Sequence, residues 1–183
     1  DISELEIKYV TDAIKNREIS SGAPPVKNFE AAFSKKFGAK HAIATNSGGS
    51  ALFLAVKALG IGSGDEVIVP TFTMFATPLA VTHCGARPVF VDSKKNNPNI
   101  NPEEIKKKIT PRTKAILIAH LFGEPCDMES IMRISRERKI PVIEDAAEAH
   151  GATYKEKLVG TFGLAGCFSF YASKVMTTGE GGM

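Results

Sequence analysis

Ala115 to Ala119 run apolar without a break, and Lys114 to Ala119 reads as one strand. A strand with no polar alternation must be covered on both faces, which is the signature of a parallel sheet packed between helices. The same pattern returns in Glu66–Val69, Pro88–Val91 and Ile140–Ile143, and His41–Thr45 also reads as a strand. Helical segments fall between them: Ser50–Leu59 closed by Gly60, Thr77–His83, a segment opened by Asn101-Pro102-Glu103-Glu104, and one capped by Asp127 that runs to about Arg138. Asparagine, then proline at the first helical position, then acids in the first turn is a helix-start signal with a physical basis. The expected fold is α/β, a three-layer α/β/α sandwich around a mostly parallel sheet.

Ahead of this alternation lies an N-terminal helical segment, 1–25. Ser3-x-x-Glu6 reads as a capping box, and Leu5, Tyr9, Val10, Ala13 and Ile14 recur at helical spacing. Ile19–Pro25 breaks the pattern. Phe29, Phe33 and Phe37 then follow at i, i+4, i+8 in a helix that Gly38 is placed to end.

Composition excludes several classes. The hydrophobic share of 43% suits a globular core, and the net charge of +3 comes from interleaved signs with no basic stripe for nucleic acid. Lys106-Lys107-Lys108 reads as a solvated helix face. Three cysteines at unrelated spacings read as reduced thiols, which fits a cytoplasmic setting. No apolar run reaches membrane-spanning length, and no His/Cys spacing speaks for a metal. The chain begins mid-pattern and stops at Met183 just after a glycine-rich turn, so it is expected to be part of a longer one.

Ligands of open parallel sheets bind at the carboxyl ends of the strands, and four such ends carry chemistry here. Asn46-Ser47-Gly48-Gly49-Ser50 lies between a strand and a helix. Its glycines permit close backbone approach, and a helix N-terminus offers N–H groups to a phosphate; a tight loop with a serine cap is the plain alternative. Pro70-Thr71-Phe72-Thr73-Met74-Phe75 brings large apolar groups, with core packing the expected role of at least two. Glu144-Asp145-Ala146-Ala147-Glu148-Ala149-His150 ends an apolar strand in acid, a costly placement unless the charge has a partner such as a protonated ring nitrogen. The alternating strand Cys167–Tyr171 carries Ser169, and Lys174 sits just beyond it. A lysine desolvated there has a depressed pKa and a free lone pair for a carbonyl, the requirement for a Schiff base. An anion, a flat ring, a basic ring nitrogen and an aldehyde together describe pyridoxal 5′-phosphate.

With those residues in place the chain resembles the DegT/DnrJ/EryC1/StrS sugar aminotransferases. The likeness runs nearly end to end, through GDEVIVPTFT, PRTKAILIAHLFG, VIEDAAEAHGA and SFYASK…TTGEGGM. It implies a fold-type-I architecture, with 1–183 as the cofactor-binding large domain and a C-terminal small domain absent from this chain. It implies Lys174 as the lysine that binds the cofactor covalently and Asp145 as the partner of the pyridine nitrogen. Glu148 would lie near the phenolic oxygen, with Gly48, Gly49 and Ser169 at the phosphate. It further implies glutamate as amino donor, a nucleotide-linked keto-sugar as acceptor and a homodimer. EDAAEAHGA and Pro125–Met128 are most similar to perosamine-synthase-type members, which aminate a 4-keto-6-deoxy sugar.

Three positions depart from the family pattern. Gly49 replaces a threonine, with Ser50 as the candidate substitute hydroxyl. Met74 stands where an aromatic ring stacks on the cofactor, and a thioether also packs on a ring face. Glu148 stands where a glutamine is common. One branch of the family carries histidine in place of the lysine and performs dehydration, and Lys174 argues against it. A non-catalytic binding protein on the same fold is the rival of another class, against which Lys174 and Asp145 both weigh. A nicotinamide enzyme is remote because G-x-G-x-x-G is absent. His120 is expected to orient a loop near the site, His150 to pack beside Gly151, and His41 and His83 to be structural.

Overall fold

The computed structural model describes residues 2–183, which divide into two units between Ala44 and Thr45. In the first unit, α1 (Glu4–Lys15) starts with the expected capping box, Ser3 and Glu6 satisfying each other's backbone N–H groups. Helix α2 (Pro24–Phe37) carries Pro at its first positions and ends on Gly38 in the left-handed region, φ 63°. The three phenylalanines touch in series: Phe29 meets Phe33 edge-on, and Phe33 stacks on Phe37 at 4.3 Å between centroids.

The second unit is built on five strands: β1 (Glu66–Pro70), β2 (Arg87–Val91), β5 (Thr113–Ala119), β6 (Val142–Asp145) and β9 (Ala165–Cys167). They lie in the order β2-β1-β5-β6-β9, every pair parallel. Alternate side chains sort to opposite faces. Val67, Val69, Ala115, Leu117, Ile143 and Cys167 pack with helices α3 (Gly48–Ala58) and α4 (Ala76–His83). Ile68, Ile116, Ile118 and Val142 pack with α5 (Pro102–Lys108) and α6 (Met128–Arg138). The expected three layers are thus present. Asn101 and Asp127 cap α5 and α6 through their side chains, and Lys106 and Lys107 pair with Glu103 and Glu104 on a solvated face, as expected.

Three strands differ from expectation. Residues 41–44 form none; Thr45 makes a single antiparallel bridge, exchanging both backbone hydrogen bonds with Gly182. The strand read at Ile140–Ile143 lies two residues later, because the chain is still leaving α6 there: Lys139 is left-handed and the Ile140 N–H bonds back to Ser135. The shift puts Glu144 and Asp145 inside the strand. Last, 168–171 do not extend β9. Phe168 and Phe170 donate instead to the carbonyls of Met183 and Gly181, so the glycine-rich turn folds back as their partner. Two short hairpins, β3 (Ser93–Lys94) with β4 (Asn97–Ile100) and β7 (Thr153–Tyr154) with β8 (Lys157–Leu158), have no counterpart in the sequence reading.

β9 approaches its neighbours more closely than a side chain permits. A Cβ on Gly166 would collide with the carbonyl oxygen of Gly160. Gly166→Ala in the full-length protein should therefore lower the unfolding free energy by about 2 kcal/mol or more, read by denaturant titration; an unchanged midpoint would contradict the packing.

Candidate active site

The chain moves from β1 to β2 on one side and then to β5 on the other, so the strand order reverses between β1 and β5. Loops leaving opposite ways at such a point open a crevice at the carboxyl ends of the strands. A cavity of about 230 Å³ lies at those ends, lined by residues that end or follow β1 (Thr73, Met74), β5 (His120, Leu121), β6 (Asp145, Ala147, Glu148) and β9 (Ser169, Tyr171, Lys174).

One end of the cavity is the start of α3. Ser47 caps it, its hydroxyl accepting the Ser50 N–H at 3.1 Å. The first-turn N–H groups of Gly48 and Gly49 have no carbonyl of their own helix to bond, and they carry the positive end of the helix dipole. Gly48 is required by contact: a Cβ there would lie 2.7 Å from the Cβ of Ser169. Ser169 lines the cavity beside it. Ser50 sits in the same first turn, its hydroxyl 3.1 Å from that of Ser47, and does not itself line the cavity.

Asp145 stands at another wall. The residue is 6% exposed; Oδ2 accepts from the Thr77 hydroxyl at 2.8 Å and Oδ1 from the Ala147 N–H at 3.1 Å. Burial pushes its carboxyl above the usual range, and those two hydrogen bonds, with the charge of Lys174, only partly oppose this. Thr77 in turn shares a hydrogen bond with Thr73 at 2.8 Å.

Lys174 Nζ lies 3.4 Å from Glu148 Oε1, both side chains largely buried, and the other oxygen of Glu148 accepts the Phe122 N–H. Gly48, Gly49, Met74, Asp145, Glu148, Ser169 and Lys174 are thereby gathered at one cavity. The expected packing of the apolar loop is overturned: Phe72, Met74 and Phe75 are all exposed, at 53, 59 and 73%. Only Met74 lines the cavity, and Phe72 meets Phe122 instead.

Thr77 and Glu144, to which the sequence reading gave no role, complete the site together with His120, which was expected to orient a loop there. Thr77 is the hydrogen-bond donor to Asp145, four residues after Thr73 on the same side of the α4 start. Glu144, fully buried beside Asp145, accepts the N–H groups of Gly160, Phe162 and Gly163 and a hydrogen bond from His120. His120 both lines the cavity and braces the following loop, where its Nδ1 accepts the Cys126 N–H. His150 packs against the rings of Phe168 and Phe170, while His41 and His83 lie on the surface.

Residues 1–183 match the DegT/DnrJ/EryC1/StrS aminotransferase family. Among curated proteins, GDP-perosamine synthase of Caulobacter vibrioides is 49% identical over 97% of this chain and 48% of its own length. Among solved structures, an aminotransferase from Psychrobacter cryohalolentis superposes with a TM-score of 0.96 at 41% identity, over 100% of this chain and 47% of that one. A GDP-4-keto-6-deoxy-D-mannose-3-dehydratase of E. coli with bound hydrated PLP superposes at 0.93 and 36% identity, over 99% and 48%. The chain spans about half the length of these relatives.

The electrostatics of Asp145 give a prediction with a sign. A carboxyl raised in the folded state lowers stability above its folded pKa, and this loss fades as pH falls below its unfolded value. In Asp145→Asn, Oδ1 still accepts from Ala147, and the amide donates to Thr77, whose hydroxyl turns to Thr73. The cofactor-free full-length variant should therefore melt higher than wild type at pH 7, and the two should converge below about pH 4. A variant that melts lower at pH 7 would contradict this.

Proposed function

The chain belongs to the DegT/DnrJ/EryC1/StrS aminotransferase family, and we propose that it is the cofactor-binding part of a pyridoxal 5′-phosphate-dependent aminotransferase acting on nucleotide-linked sugars. The observation that carries this reading is one cavity with three kinds of wall: a helix start that presents N–H groups, a buried carboxylate hydrogen-bonded to the neutral donors Thr77 and Ala147, and a lysine amine.

These residues fit the cofactor. Gly48, Gly49 and Ser169 would hold its phosphate, Asp145 its ring nitrogen, Lys174 its aldehyde carbon, and the Met74 thioether would pack on the ring face. When bound, pyridoxal phosphate supplies a carbonyl that takes up an amine and a ring that draws electrons from the adjoining carbon. Asp145 Oδ2, oriented by Thr77, stabilises a proton on the ring nitrogen, and a buried charge that gains a cation also loses its desolvation penalty. Lys174 Nζ is the base that takes a proton from the substrate carbon and returns it. Glu148, 3.4 Å away, orients that amine.

For the reaction, we read glutamate as the donor and the keto group of a nucleotide-linked 4-keto-6-deoxy sugar as the acceptor. The 49% identity to a GDP-perosamine synthase supports this substrate class. The dehydratase reading has a structural neighbour in its favour, but Lys174 stands where that branch carries histidine. A homodimer is the assembly that suits the exposed Phe72, Phe75 and Phe122, chain neighbours of the cavity-lining Thr73, Met74 and Leu121. With a nucleotide-linked sugar as acceptor, we read the cytoplasm as the setting of the reaction. Among the described residues, no helix is long and apolar enough to cross a membrane.

The test is a coupled assay of the full-length protein with glutamate and a panel of nucleotide-linked keto-sugars. Wild type should yield an amino sugar and 2-oxoglutarate, and Lys174→Ala should lose at least about 10³-fold in turnover. Formation of a deoxygenated sugar without nitrogen transfer would replace the aminotransferase by the dehydratase.

A further inference from the structure

Glu144 plays no part in the chemistry above, yet it is completely buried and accepts four hydrogen bonds. Three come from the backbone: Gly160 to Oε2 at 2.7 Å, and Phe162 and Gly163 to Oε1 at 2.7 and 2.6 Å. The fourth comes from His120, 3.1 Å from Oε2. A backbone N–H can only donate, so the Cys126 N–H fixes His120 Nδ1 as an acceptor, and the ring proton of neutral His120 sits on Nε2, aimed at Glu144.

The position of this carboxylate matters because of what it joins. It projects from β6, one residue before Asp145. It grips 160–163, the segment that leads into β9 and so to Ser169 and Lys174. The pairing of β6 with β9 has only three registered pairs, Ile143 with Ala165, Glu144 with Gly166 and Asp145 with Cys167. Ala165 and Gly166 offer almost no side chain to set that register. A slip of one residue would turn Ser169 away from the cavity and move Lys174 relative to Asp145.

We infer that Glu144 is a positioning residue that locks the register of β9 against β6, and with it the spacing between the Asp145 side of the site and the Ser169–Lys174 side. His120 extends the lock to the end of β5. The inference rests on the cofactor reading above. A carboxylate suits the task because both its oxygens accept, so four donors from two segments converge on one rigid group.

The experiment compares full-length wild type, Glu144→Gln and Ile131→Ala, the last a core truncation remote from the cavity. The readouts are melting temperature, the Kd for pyridoxal phosphate and the visible band of the bound cofactor. Glu144→Gln presents an amide N–H to donors in place of one oxygen. It should weaken cofactor binding on the order of 10- to 100-fold and shift the band. Ile131→Ala, with an equal or larger loss in melting temperature, should leave both within about twofold. Unchanged binding and band in Glu144→Gln, or losses in both variants that merely track melting temperature, would overturn the inference. If Glu144→Gln does not fold, amide exchange in wild type decides: Gly160, Phe162 and Gly163 should exchange as slowly as β6, and rapid exchange would overturn the lock. A wild type that binds no pyridoxal phosphate would sink the cofactor reading instead.

Discussion

Asp145 ends a strand in which all four residues are buried, and its two hydrogen bonds come from neutral donors, Thr77 and Ala147. An acid at the opposite, amino end of the parallel strands is treated differently. Glu66, at the start of β1, is as deeply buried, but Arg87 and Arg112 lie 2.5 and 2.8 Å from its carboxylate, and the Thr110 hydroxyl donates to it at 2.6 Å. Thr110 first, then the arginines, hold it below the ordinary carboxylate range. Asp145 is pushed above that range by burial. One end of the sheet thus closes its charge account internally, and the other leaves a carboxylate that a cationic ring nitrogen would satisfy. A protein selected for stability alone has no reason to keep it.

The remaining machinery is arranged around that carboxylate by backbone rather than by long side chains. The His120 N–H bonds to the Asp145 carbonyl, and the Ala146 N–H to the Cys167 carbonyl, so strands on both sides fix where Asp145 can lie. Gly48 against Ser169 brings the helix start to the end of the adjacent chain segment. The glycine-rich end then folds back, with Gly182 bridging both Thr45 and Ser169. Adding a Cβ at Gly182 would collide with Ser47, so the same residue that closes the turn sets the floor beneath the cap of α3.

Much of this was legible in the residues. Strands with no polar alternation named the parallel sheet, and Asn101, Asp127 and Gly38 marked helix ends that the backbone honours. Lys174, Asp145 and the Ser47-Gly48-Gly49 loop could be read because each stands at or just past a predicted strand end or at a helix start, whereas Glu148 was named through the family resemblance alone. What was not legible depends on distant partners. Thr77 looks like any residue of a short helix until the fold brings it 2.8 Å from Asp145. Glu144 reads as the flank of an acidic pair, and only the return of 160–163 reveals its four donors. Phe72 and Phe75 read as core because aromatic side chains usually are, whereas the loop after β1 carries them outward.

The central claim is that Lys174 and Asp145 face one bound ring. Borohydride reduction of full-length protein loaded with pyridoxal phosphate, followed by peptide mass mapping, tests it most directly. The account predicts a stoichiometric phosphopyridoxyl mass on the peptide containing Lys174 and on no other lysine. The mass on another lysine, or tight cofactor binding with no reducible link, would contradict it.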